Sequence, residues 1–174
     1  MHLKICLLVA VLLAAFCSVS VVGQTKAKFV SQDGGFTIDL PSEGYQGVEP
    51  VGEMNSGSGT YAWVTEAGQF SVSYVEGAFP MRTAADSLNT LADVILKSPA
   101  NRQATLLSRK QFVSNGNTVI ELRIKRPQGW AINRLVVVKR RLFVITADWV
   151  DGDGENAAAI LDSFELIDSR QLIA

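Results

Sequence analysis

The chain has 174 residues, 48% of them hydrophobic, with 16 basic and 17 acidic side chains for a formal net charge of −1. Its single histidine, His2, and both cysteines, Cys6 and Cys17, lie within the first 23 residues. Loss of that stretch leaves no imidazole and no thiol, which excludes a Ser–His–Asp triad, thiolate catalysis, disulfides and most zinc or copper sites.

Residues 1–23 read as a secretory signal peptide: Lys4, then the apolar run Ile5 to Phe16, then Ser18-Val19-Ser20-Val21-Val22-Gly23. The run is shorter than the roughly 20 residues of a membrane span. Small residues place the cut after Gly23 or after Ser20. A lipidated Cys17 is the weaker alternative, because bulky Phe16 precedes it, and an uncleaved anchor is another. The expected product is exported, periplasmic or secreted, with residues 24–174 forming one domain.

Two strands, Phe29-Val30 and Phe36 to Leu40, flank the tight-turn signal Asp33-Gly34-Gly35, and Phe36, Ile38 and Leu40 share a face. Pro41 ends the second. Residues 41–59, rich in Gly, Ser, Glu and Pro, read as one long loop in which Tyr45 and Met54 could line a groove. Thr60 to Thr65 and Gln69 to Val75 follow as a hairpin, with Phe70, Val72 and Tyr74 alternating against Ser71 and Ser73.

A helix is predicted at 83–97. Thr83 is its N-cap, with Asp86 three residues on, and Ala84, Leu88, Leu91 and Ile95 form its apolar stripe before Pro99. Thr105 to Val113 and Thr118 to Arg126 pair around Asn115-Gly116. In the second of these, Ile120, Leu122 and Ile124 point inward, while Glu121, Arg123 and Lys125 point outward. After Pro127-Gln128-Gly129, Trp130 to Lys139 and Leu142 to Trp149 form a last hairpin around Arg140-Arg141. Leu135 to Val138 is apolar on both faces, so that strand is expected to be central. A second helix at 155–164 presents Ile160, Leu161 and Phe164. The order ββββ-α-ββββ-α gives an α+β fold, an antiparallel sheet flanked by helices.

Gly35-Phe36-Thr37-Ile38-Asp39-Leu40-Pro41 and Ala158 to Leu166 (AAILDSFEL) are similar to the opening and closing motifs of the PsbP/Mog-type superfamily. The chain thus resembles a bacterial exported PsbP-like or DcrB-like domain. The resemblance implies an α/β/α sandwich and a role in binding and assembly rather than catalysis, since relatives include photosystem II subunits, Ran-release factors and envelope adaptors. No activity transfers with it, and no cofactor is implied.

Charge is unevenly spread. Residues 99–150 carry ten basic and two acidic side chains, between acidic flanks. Arg123, Lys125 and Lys139 could gather on one sheet face, with Arg126, Arg140 and Arg141 at its edge, to meet an anionic ligand, an acidic partner or lipid headgroups. A solvated face partly covered by the acidic C-terminal helix is the plainer account. Asp151-Gly152-Asp153-Gly154-Glu155, with Asp162 at the twelfth position, has calcium-like spacing, but Asn156 replaces the loop glycine, and Asp153 capping the helix explains it as well. Tyr61, Trp63, Trp130 and Trp149 are expected in packing roles.

Catalytic motifs fail to appear, leaving only an unplaced carboxylate pair for a hydrolase. The reading is therefore an exported, non-catalytic binding, adaptor or assembly domain. Its partner would be a protein or small ligand of the cell envelope, with membrane contact open and nucleic acid unexpected. An anion- or lipid-binding module is the first alternative. The oligomeric state leaves no trace in the sequence.

Overall fold

A computed structural model describes residues 26–41, 49–50, 57–64, 68–77, 83–150 and 154–167. The signal segment, most of loop 41–59 and Asp151 to Asp153 lie outside the described residues.

Strands β1 (Lys26–Ser31) and β2 (Phe36–Pro41) pair antiparallel in full register. With the short β10 (Glu165–Leu166) they make a three-stranded sheet ordered β1-β2-β10. The main sheet has seven strands: β3 (Glu49–Pro50), β4 (Ser58–Val64), β5 (Gly68–Glu76), β6 (Thr105–Ser114), β7 (Asn117–Arg126), β8 (Gly129–Val138) and β9 (Arg141–Trp149). Their order is β3-β4-β5-β9-β8-β7-β6. Both β3 and β10 are only two residues long, which is why no periodicity announced them.

The face formed by Ile120, Leu122, Ile124, Ala131 and Leu135 packs under α1 (Ala84–Leu96). Leu88 and Ala92 are the buried residues of α1, whereas Ala84 is exposed. Thr83 caps the helix as expected, its Oγ1 accepting from the Asp86 N–H at 3.1 Å. Pro99 then opens a single 3₁₀ turn, Pro99–Asn101.

The opposite face is covered by the small sheet together with α2 (Glu155–Asp162). One layer of the expected sandwich is therefore part strand and part helix. Phe36 sits at its centre, with ring centroids 5.5–6.3 Å from Phe29, Tyr61, Phe143 and Phe164. Two backbone contacts fix the layer to itself: the Asp39 N–H donates to Ser163 Oγ at 2.8 Å, and the Ile167 N–H to the Gly35 carbonyl at 2.9 Å.

β8 is central and apolar on both faces, Leu135 facing α1 and Val136 facing the other core. Its turn to β9 is Lys139-Arg140 rather than Arg140-Arg141. Lys139 takes φ 56, which frees Arg141 to pair with Val138 in the ladder. Arg141 then fastens the two sheets. It donates through one nitrogen to the Gly34 carbonyl at 2.7 Å and pairs with Glu76 at 3.0 Å. Trp63 and Trp149 are buried, and Tyr61 and Trp130 are half-buried against the same core, as packing roles require.

Candidate functional site

The expectation that Glu121 points to solvent is overturned. Its side chain is 5% exposed and lies on the face opposite α1, beneath the second layer. Both its oxygens accept charge-assisted hydrogen bonds: Oε1 from Arg123 Nε and Oε2 from Arg134 Nε, each at 2.8 Å. Arg134, directly across the β7–β8 ladder, also reaches Asp162 of α2 at 2.7 Å. Burial alone would raise the Glu121 pKa; the two guanidinium hydrogen bonds outweigh it and hold the carboxyl below its usual range. Alternation along β7 marked two faces correctly, but both faces are covered there.

The five basic residues singled out in the sequence do not form one patch. Arg123 and Lys125 share a face of β7, with Arg123 keeping 43% of its side chain exposed and Lys125 Nζ lying 3.9 Å over the Trp130 ring. Lys139, Arg140 and Arg141 stand at the far end of the strands: Arg141 pairs with Val138, six residues along from Ile132 opposite Arg123 and eight along from Trp130 opposite Lys125, about 20 to 26 Å away. They border a cleft of about 560 Å³ shared with Gly34, Glu76 and Phe143. There Arg141 is held by Glu76 and the β1–β2 turn and lies over the Tyr74 ring, so Lys139 and Arg140 are the exposed cations. Arg126 is likewise engaged, with Asp148 at 2.7 Å and Asn101 at 2.8 Å. Arg126 and Asp148 line a cleft of about 680 Å³ at the end of the sheet, between the 3₁₀ turn and the β7–β8 turn. Burial raises the pKa of Asp148 more than Arg126 lowers it.

Sequence reasoning missed the free edge of the main sheet. β6 ends the strand order and, among the described residues, pairs only with β7. It is ten residues long and exposed along almost its whole length, including Leu106, Leu107, Phe112 and Val113, the last at 71%. The register slips between Leu106 and Ser108, so Leu107 is a bulge and Arg109–Ser114 is the regular stretch. A small groove of about 110 Å³ runs beside it, lined by Phe112, Val119, Arg134, Leu161 and Phe164 among others. One signal was present: the apolar residues of 105–114 come in pairs and do not alternate, so neither face of that strand is marked for burial.

Solved structures place this architecture. The cyanobacterial PsbP of Synechocystis sp. PCC 6803 superposes with a TM-score of 0.58 at 14% identity, covering 87% of this chain and 99% of that one. The Saccharomyces cerevisiae Ran-binding protein Mog1p superposes with a TM-score of 0.51 at 8% identity, covering 87% and 100%. The chain has the PsbP/Mog-type fold. No family model and no curated protein matches its sequence. At such low identity the PsbP/Mog likeness describes the scaffold and carries no site residues. Among the described residues, no helix is long and apolar enough to cross a membrane.

Proposed function

We propose that residues 24–174 form a non-catalytic binding domain, an adaptor or assembly factor that works in the cell envelope or outside the cell after loss of residues 1–23. Its partner is a protein, and the docking side is the β6–β7 hairpin with Arg123 and Lys125 beside it. One observation carries this reading: a ten-residue edge strand that keeps Leu106, Leu107, Phe112 and Val113 in solvent. Exposed apolar residues grouped on an unpaired edge invite association, and stable monomers usually suppress them. The fold is shared with a protein named for binding Ran, which is compatible with such use. The anion- or lipid-binding alternative draws less support, because Arg123 and Lys125 stand far from Lys139, Arg140 and Arg141. A hydrolase would need two close carboxylates in a cleft, and the cleft beside the β7–β8 turn offers Asp148 bound to Arg126.

Photo-crosslinking in the native host tests the reading. A photoreactive side chain at Val113 is expected to trap one defined exported or envelope protein, and the same group at Val94, exposed on α1, is expected not to. Equal labelling from both positions, or adducts to lipid alone, would remove it.

A further inference from the structure

We infer that the Arg109–Ser114 edge of β6 takes up an extended acidic segment of a partner protein as an added strand. The inference rests on the protein-binding reading above and names the chemistry of the partner.

Backbone direction comes first. The two-residue turn Asn115-Gly116 is closed by Ser114 and Asn117, which are opposite each other in the register. In a hairpin of this kind the closing pair exchanges its backbone hydrogen bonds, and the direction alternates from there. The N–H and C=O of Ser114, Phe112 and Lys110 therefore point to β7, and those of Val113, Gln111 and Arg109 point away from it. Among the described residues no strand receives that outward row. Strand addition to such an edge draws affinity from main-chain hydrogen bonds and specificity from pockets for alternate side chains. The groove beside Phe112 and Val119 supplies one pocket on the face where Lys110 and Phe112 stand, with apolar walls from Val136, Leu161 and Phe164 and the Arg134–Asp162 pair in its lining.

Charge selects the segment. No Asp or Glu occurs between Asp93 and Glu121, and Glu121 is buried and doubly hydrogen-bonded. On the same face, Lys110 lies across from Glu121, with Arg123, bonded to Glu121, and Lys125 further along β7; the acid in the groove lining, Asp162, is paired with Arg134 at 2.7 Å. Arg109 points to the other face, where Asp93 of α1 holds it at 2.6 Å. An incoming strand with acidic residues near Lys110 and an aliphatic residue at the groove matches this surface. A second copy of β6 matches it less well: each strand would bring Arg109 and Lys110 and no acid. The Leu107 bulge limits pairing to about six residues and keeps the edge from open-ended association.

The test uses residues 24–174 with two labelled ten-residue probes, one alternating Val and Glu and one alternating Val and Lys. Saturable binding of the acidic probe alone is expected, with amide shifts confined to β6 and its groove. Gln111→Pro is expected to weaken it about tenfold or more, because it removes an outward N–H while leaving the β7 ladder intact. N-methylation of alternate probe amides should do the same. Lys110→Glu should weaken the acidic probe and favour the basic one, and does not depend on Gln111→Pro folding well. Acidic binding untouched by Gln111→Pro and by N-methylation overturns strand addition while leaving the protein-binding reading in place. Equal binding of both probes overturns the acidic selection. No probe binding, with the Val113 crosslink to a protein intact, overturns the inference alone, whereas loss of that crosslink removes the wider reading. Co-sedimentation with phosphatidylglycerol vesicles, or a Gln111-dependent doubling of mass in light scattering, would make lipid or a second copy the occupant and overturn it.

Discussion

Glu121 is where a single residue decides most. Each Glu121 oxygen accepts from an Nε donor at 2.8 Å, and removal of the carboxylate leaves the Nε of Arg134, whose side chain is 12% exposed, without its partner. Breaking one side of a buried pair typically costs about 3–5 kcal/mol. Asp162 still holds Arg134 in the variant, so Glu121→Ala is expected to lose about 3 kcal/mol in a denaturant melt, and Glu121→Gln less. The pH dependence has a definite sign. The folded state holds this carboxyl below its ordinary pKa, so the stability it contributes is full above the usual glutamate range and disappears as pH falls through the folded value. Asp148 works in the opposite sense: burial raises its pKa, so what it contributes is present below the usual aspartate range and fades as pH rises through the folded value. Acid titration of stability should therefore be shallower in Glu121→Gln than in the parent. Parallel curves would show that the Arg123–Glu121–Arg134 network is not felt.

At the scale of elements, two glycines separate backbone strain from crowding. Asn115 and Gly116 have φ of 49° and 77°, the left-handed pair that a two-residue hairpin needs, and nothing stands near a Cβ at Gly116. Gly154, which opens α2, has the same φ of 77°, but a Cβ there would run into the Trp149 indole. Gly116→Ala should cost about 1 kcal/mol, the strain alone. Gly154→Ala should cost clearly more, with a change in Trp149 fluorescence that Gly116→Ala lacks. Equal costs would mean that α2 rides freely over the indole. These elements also show what the sequence discloses. Asn-Gly, the Thr83 cap and the Phe70-Val72-Tyr74 alternation are local signals, and local geometry obeys them. Glu121 and the basic residues were misjudged for a different reason. Alternation gives two faces to a strand but cannot say that α2 and a third small strand cover the second one. A list of cations along a chain likewise cannot say that Lys125 and Lys139 stand at opposite ends of neighbouring strands. The edge position of β6 is a property of the strand order, fixed by partners distant in sequence.

For the whole molecule, the main sheet is a partition between two cores that share no buried side chain. Phe36, Ile38, Phe143 and Leu161 lie on one side, and Leu88, Ile120, Leu122 and Leu135 on the other. β7, β8 and β9 contribute to both, with alternate residues serving alternate cores. Strain can cross only through the backbone of these strands, which their ladders hold on both sides. Ile38 and Leu88 are both fully buried, so Ile38→Val is expected to cost about 1 kcal/mol and Leu88→Ala about 3 kcal/mol. Sites without shared partners usually combine within about 0.5 kcal/mol. The double variant should therefore lose about 4 kcal/mol, still in one transition, because the sheet ties both cores into one cooperative unit. Unfolding in two steps would make the partition a boundary between separately melting halves. Coupling well beyond the additive sum would mean instead that the shared strands shift, and that the β6 edge, which hangs from β7, moves with them.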